Sequence, residues 1–268
     1  PPPAPWRPPF ESHLTTTNTT SFTLSTTSFT LSTIAFSASN QPLPRARTCE
    51  FRGFWATPSL DPRAISALHE QGIGLNPAVC VSDCLSLTTD ARMEKVSQLR
   101  MSGGAVECVF WVEGVRTQWR VRGTACVIGD MAGGEEEERA RRLVLRASRF
   151  LAPEGKAAED EGEEGEWEWS FERQVAAYFA NLSPGMRGTF KNPPPGRLRT
   201  AQDSNPQSQL GQKVTDLNDE AARANFRVMV IIPEEVESLN VETMERKVWA
   251  LEGEEQGQKE WKEVELWP

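Results

Sequence analysis

Histidine and tyrosine are almost missing from this sequence. His13 and His69 are the only histidines among 268 residues, and Tyr178 is the only tyrosine. A histidine-based catalytic triad is therefore not expected. A zinc site is not expected either: Cys80 and Cys84 form a Cys-x3-Cys pair with no second ligand pair to complete it. The other cysteines, Cys49, Cys108 and Cys126, bring the count to an odd five without regular spacing. That pattern argues against a disulfide framework and for a reducing compartment, with the cytoplasm as the default. No apolar run approaches membrane-spanning length; VMVII at 228–232 reads as a strand, so no membrane partner is expected. An excess of positive charge is also missing. The formal net charge is −9 and the pI about 5.0, which excludes a basic nucleic-acid footprint over the whole molecule. The opening PPPAPWRPP shows no charged n-region and no apolar h-region, so no secretory signal is visible there.

What is present reads as strands with a few helices. Residues 1–20 form a Pro/Thr-rich leader, extended over its first nine residues, with Trp6 and Phe10 as anchors. A tandem heptapeptide follows, SFTLSTT at 21–27 and SFTLSTI at 28–34; two copies are too few for a solenoid. Alternation predicts a strand over 31–37, a turn at 40–44 and a partner strand over 45–55. Residues 57–77 read as loop, 79–88 as strand and 91–101 as helix stopped by Gly103 and Gly104. Ala105–Val112 and Thr117–Ile128 are strong strands joined by a Glu113-Gly114 turn. Residues 135–150 read as a helix, acidic first and basic last, in accord with the helix dipole. An acidic insert is expected at 151–166. Residues 167–181 read as an amphipathic helix and 197–212 as polar loop. Four short strands are expected at 226–232, 236–241, 246–251 and 260–266. Strands outnumber helices and follow one another through short turns. The fold class is mostly β, an antiparallel sheet or barrel with peripheral helices, in a single domain over 21–268.

Three segments carry the chemistry. RARTCEFRGF at 45–54 puts Arg45, Arg47 and Arg52 in one strand, costly unless partnered; an anionic ligand would offset that cost. Period-two alternation sets Arg47 and Cys49 on one face and Thr48, Glu50 and Arg52 on the other. TTDARMEK at 88–95 is a strand-to-helix junction with Arg92 and Lys95 on one face of the first turn. Cations there oppose the helix dipole unless an anion is bound. TQWRVRG at 117–123 places Gln118, Arg120 and Arg122 on one strand face and Trp119 and Val121 on the other. The tryptophans are expected to pack in the core or an interface rather than to stack on a ligand.

In this order, these segments resemble the pyridoxamine 5'-phosphate oxidase-like family of split barrels that bind flavin mononucleotide (FMN). The resemblance extends through Trp169, Leu182-Ser183, Arg187, Phe190 and Pro194-Pro195-Gly196 to NFRV at 225–228 and Trp267. It implies an FMN-binding split β-barrel, an FMN site at a homodimer interface, and a flavin oxidoreductase acting on a small-molecule substrate. Arg47 would grip the phosphate or ribityl chain, and the backbone of Thr48, Cys49 and Glu50 would follow the flavin edge. Thr88 and Thr89 would approach the flavin, Arg92 and Lys95 the phosphate, Gln118 the ring, and Arg246 the ring from the C-terminal part. Arg52 stands where the oxidases carry a lysine and is the candidate catalytic residue. The oxidases' C-terminal Arg-x-His-Asp-Arg is Glu242-Thr-Met-Glu-Arg246 here, so the vitamin B6 substrate pair is replaced by Glu242 and Met244. That departure keeps a second class open: a non-catalytic FMN-binding protein, or a degenerate barrel serving as an interaction module.

Overall fold

The computed structural model describes residues 1–16, 27–130, 134–151, 168–198, 210–253 and 259–268. Residues 21–26 of the first heptapeptide, the acidic insert beyond Leu151 and most of the 197–212 loop lie outside these residues.

Strand β1 (Thr27–Phe36) pairs antiparallel along its whole length with β2 (Pro42–Phe51). Its other edge meets β5 (Ala105–Val112), which pairs with β6 (Thr117–Ile128). β6 pairs with β8 (Phe226–Asn240), a single long strand where two short ones were expected. The second edge of β8 is shared. Its first half takes β4 (Leu85–Asp90), while its second half takes β9 (Arg246–Glu252), which β10 (Glu260–Leu266) extends. The sheet divides where the pairing changes hands, next to buried Pro233, whose ring supplies no ladder donor. Opposite it the β6–β8 register slips by one residue between Arg122 and Gly123. A Cβ on Gly123 would sit 2.0 Å from the Ile232 carbonyl oxygen, so only glycine fits this bulge.

Three backbone bonds close the ring: Arg52 N to Ser86 O, Ser86 N to Gly53 O and Trp55 N to Cys84 O, at 2.8–3.0 Å. β2, the segment after it, β4, β8, β6, β5 and β1 thus form a split barrel, mostly antiparallel, with helices outside. A short ladder of β3 (Cys80–Ser82) with β7 (Ser148–Phe150) stands apart; the latter occupies the end of the expected 135–150 helix.

The lumen is filled by side chains from alternate strand positions. Leu31, Cys108, Phe110, Trp119, Val121, Met229 and Ile231 point inward. The first correction lies here. The leader is not extended over Pro1–Pro9: helix α1 (Arg7–Thr16) begins inside it, and Trp6 and Phe10 are fully buried in the barrel core. Phe10 packs edge-on to Phe110 and Trp119 at 5.1 and 5.3 Å. The Trp119 indole donates to His13 Nδ1 at 3.2 Å. Buried Asp83 fastens the segment, accepting from Ala4 N, Arg7 and Arg149 at 3.1, 3.0 and 2.6 Å. The tripeptide Pro-Pro-Phe starts this helix because proline is tolerated in a first turn, where its missing N–H costs nothing.

A second core lies between the sheet and the outer helices. The apolar run of β8 serves both: Val228 and Val230 face the helices, Met229 and Ile231 the lumen. Helix α5 (Phe171–Ala180), capped by Ser170, is buried on most of its circumference. Helix α2 (Pro62–Glu70) is the second correction. It occupies the expected 57–77 loop, with Asp61 as N-cap and Pro62 opening the first turn. Helix α3 (Glu94–Met101) closes the β1–β2 end of the barrel, and α4 (Glu135–Arg146) lies against β6. Two short helices, α6 (Pro184–Gly188) and α7 (Glu220–Asn225), carry Ser183 and Asp219 caps.

Candidate functional site

Arg47 on β2 and Lys95 on α3 lie in each other's field where α3 packs on β1. The Arg47 guanidinium donates to Thr33 Oγ1 at 2.6 Å and to Gln98 Oε1 at 2.8 Å, and Thr33 also donates to Gln98 at 2.6 Å. Lys95 stands one turn before Gln98 on α3, and its ammonium touches the Met93 sulfur at 3.3 Å. Among the described residues no carboxylate lies within ion-pair distance of Arg47, Lys95, Arg45 or Arg52; the basic residues elsewhere on the barrel are mostly paired. Burial pushes the Lys95 ammonium below its usual range; Cys49 and Asp90 oppose that shift and Arg47 adds to it. Arg47 is lowered by burial, with Cys49 and Glu94 opposing and Arg45 adding. A half-buried group of like charges without counterions is unfavourable by itself, and an oxyanion ligand relieves it through charge-assisted bonds.

Cys49 is buried on the lumen side of β2, and burial raises its thiol while Lys95 and Arg47 hold it back. Thr48 is exposed on the opposite face. Glu50 shares that face; its Oε1 accepts from Ser28 at 2.6 Å, while its Oε2 is buried with no partner. Arg52 follows at the barrel seam. Its Nε is likewise buried without an acceptor, and burial lowers its pKa against the field of Glu50. Two polar atoms two residues apart are thus buried here without a protein partner.

Other expected residues are placed differently. Thr88 and Thr89 occupy consecutive positions of β4 and face opposite sides; Thr89 is buried and Thr88 partly exposed. The Arg92 guanidinium is committed within the chain. It grips Asp90 with two bonds of 2.9 and 2.6 Å, and donates to the carbonyls of Asn192 and Phe190. Gln118 lies on the outer face of β6, opposite Leu239, which is opposite Arg246 on β9. Arg246 bonds Glu237 at 2.9 Å and leaves its Nε buried without a partner. The row from Thr48 through Thr30 and Val109 reaches Arg120, the neighbour of Gln118 on this face. Three strand spacings separate them, about 14 Å along the sheet. The chain therefore brings Arg47, Cys49 and Lys95 together, keeps Glu50 and Arg52 as a separate neighbouring pair, and sets Gln118 and Arg246 apart. Thr33 and Gln98 were missed by sequence reasoning. Gln98 had a signal, lying three residues after Lys95 on one helix face; Thr33 had none without the β1–β2 register.

Tyr178 does not face an open site. Its hydroxyl is buried against the seam, within 2.7 Å of Ser86 Oγ, and donates to Phe54 O at 3.3 Å. The five cysteines are free buried thiols.

The barrel, mostly antiparallel with helices outside, has the split-barrel fold. Residues 3–129 match the family model of the pyridoxamine 5'-phosphate oxidase FMN-binding domain, so the chain resembles that family in sequence as well as in fold. A search of curated proteins finds no match. Among solved structures, a pyridoxamine 5'-phosphate oxidase-related, FMN binding protein from Nostoc punctiforme PCC 73102 superposes with a TM-score of 0.60 at 17% identity, covering 100% of both chains. PhzG from Burkholderia lata 383, solved with tetrahydrophenazine-1-carboxylic acid, gives a TM-score of 0.53 at 13% identity, covering 100% of this chain and 94% of that one. No helix among the described residues is long and apolar enough to cross a membrane.

Proposed function

We propose that this protein binds FMN and works as a flavin-dependent oxidoreductase, as a homodimer in a reducing compartment such as the cytoplasm. The carrying observation is the pair of Arg47, held by Thr33 and Gln98, and Lys95, neither with a carboxylate within ion-pair distance among the described residues. These residues fit a phosphate dianion: two cations, no carboxylate within ion-pair distance among the described residues, and a neutral scaffold that fixes the guanidinium. The β2 backbone at Thr48, Cys49 and Glu50 then follows the flavin edge, and Thr88 lies on the neighbouring strand. Arg92 acts through Asp90, fixing the junction from which α3 presents Lys95. Bound FMN would supply hydride acceptance and onward electron transfer. Arg52, with its unpartnered Nε, is the group to stabilise negative charge developing near the ring.

The separation of Gln118 and Arg246 from this cluster supports a dimer. So does their surface: Trp111, Val264 and Leu266 are exposed apolar residues on neighbouring strands. A second protomer laid on this face would bring Gln118 and Arg246 to the β2 edge of the first.

The test is the visible spectrum of purified protein before and after FMN addition and desalting. About one flavin per protomer is expected, lost in the R47A/K95A double variant while the fold survives. Full flavin occupancy in that variant would overturn the assignment. The buried Tyr178 hydroxyl favours a second reading, in which FMN is held without turnover of a B6 phosphate. A fully flavinated sample with no activity on pyridoxamine phosphate or nicotinamide donors would select it.

A further inference from the structure

A second cavity lies on the other side of α3, between that helix, α4 and the ends of β6 and β8. Its volume is about 330 Å³, at the lower end of the range for small-molecule sites. Val96, Leu99, Cys126 and Leu143 form an apolar lining. The carboxylates at its rim are already neutralised. Glu136 pairs with Arg100 at 2.8 Å, and Glu137 pairs with Arg141 at 3.3 Å and accepts from Gly129 N. Two guanidiniums remain, Arg139 on α4 and Arg227 on β8, and neither has a carboxylate within ion-pair distance among the described residues. Arg227 spends its bonds on the carbonyls of Ala224 and Phe226. Its place depends on Gly129, where a Cβ would come within 2.9 Å of Arg227 Nε. The charge of Arg139 reaches the cavity, opposing the upward shift that burial imposes on the Cys126 thiol.

We propose that this cavity binds a small organic acid, its carboxylate between Arg139 and Arg227 and its apolar body against Val96, Leu99 and Leu143. The chemistry selects such a ligand on two counts. Unpaired guanidiniums favour a carboxylate, and the aliphatic side chains of Val96, Leu99 and Leu143 on part of the wall give a short hydrocarbon body a surface that a bare ion would not use. The site is separate from the Arg47–Lys95 cluster, since α3 turns Lys95 and Gln98 to β1 and β2 and turns Val96 and Arg100 to the cavity.

Equilibrium dialysis of the full chain with radiolabelled octanoate tests this. One equivalent is expected to bind. R139E, at an exposed position, should weaken binding at least tenfold while the thermal midpoint stays near wild type, and R227Q should weaken it as well. K95A should bind octanoate as wild type does, which keeps this site distinct from the flavin site. Absence of octanoate binding, equal binding by R139E, or displacement by 1-octanol or inorganic phosphate as effective as by unlabelled octanoate would overturn the proposal.

Discussion

Gln98 Oε1 accepts from the Arg47 guanidinium at 2.8 Å, and through this one bond α3 fixes the direction in which β2 presents its charge. A neutral glutamine serves better here than a carboxylate would. It orients the cation without neutralising it, so the positive field stays available to a ligand. Replacing Gln98 by leucine removes a charge-assisted bond worth about 1.5 kcal/mol. We expect FMN affinity to fall about tenfold in a flavin fluorescence titration. Q98E should weaken FMN binding more than Q98L, by placing a negative charge against Arg47 in the proposed phosphate site.

Lys95 gives the site a pH dependence. Burial lowers its pKa, so the ammonium is lost at lower pH than in an ordinary lysine. A bound phosphate requires the charged form. Affinity should therefore be full below the lowered pKa and decline as the pH rises through it, before the usual lysine range. In the free protein, the penalty for burying the charged amine disappears over the same window, so stability should rise there. FMN titrations between pH 7 and 10 check the first effect. K95R should flatten the curve, because arginine keeps its charge.

Asp83 holds the N-terminal segment through Ala4, Arg7 and Arg149. Burial works against its ionisation, but the hydrogen bonds from Arg149 and Arg7 outweigh it and set the carboxyl below its usual range. Its contribution is thus present above the ordinary carboxylate pKa and lost as pH falls through the lowered one. Breaking a largely buried ion pair costs about 3–5 kcal/mol. D83N should lower stability by about that amount in urea titrations at pH 7, and the difference from wild type should shrink in strong acid.

Phe10 fills the barrel end and touches Phe51, Phe54, Phe110 and Trp119. F10A should cost about 3–5 kcal/mol, as large-to-small changes in packed cores do. Beside it, burial lowers the pKa of His13, so the neutral ring that accepts from Trp119 is favoured. Wild-type stability should fall as pH drops below the usual histidine pKa, and H13Q should lose part of that slope. Denaturant titrations at pH 5 and 8 measure both effects.

G123A places a Cβ 2.0 Å from the Ile232 carbonyl oxygen, with backbone on both sides and no flexible side chain to yield. We expect loss of soluble protein or a fall in Tm of more than 10 °C. G185A, with open space around its Cβ, is the control.

Much of the barrel could be read from alternation alone. β5, β6 and β10 have the boundaries their sequence pattern predicts, because turn residues bound each of them. β8 was divided in two because Pro233 reads as a break, whereas the proline sits where the strand changes partners and needs no donor. The α2 helix was hidden among Pro and Gly punctuation, although Asp61-Pro62 is a capping signal. Helix α1 was obscured by its prolines. Its anchors Trp6 and Phe10 were visible, but their destination depends on strands more than a hundred residues away. In the site, Arg47 and Lys95 could be singled out by the improbability of unpaired strand and helix cations. The commitment of Arg92 to Asp90 was two residues away in sequence and could have been anticipated from side-chain reach. The separation of Gln118 from Thr48 could not, since it depends on strand order.

The placement of Trp6 also sets a schedule for synthesis. Its ring lies 6.0 Å from that of Trp261, and Arg149 reaches Pro2. Trp6 therefore leaves the ribosome long before Trp261, and its burial site is complete only once that last strand has been made. During that interval an aromatic helix is exposed to chaperones and to neighbouring nascent chains.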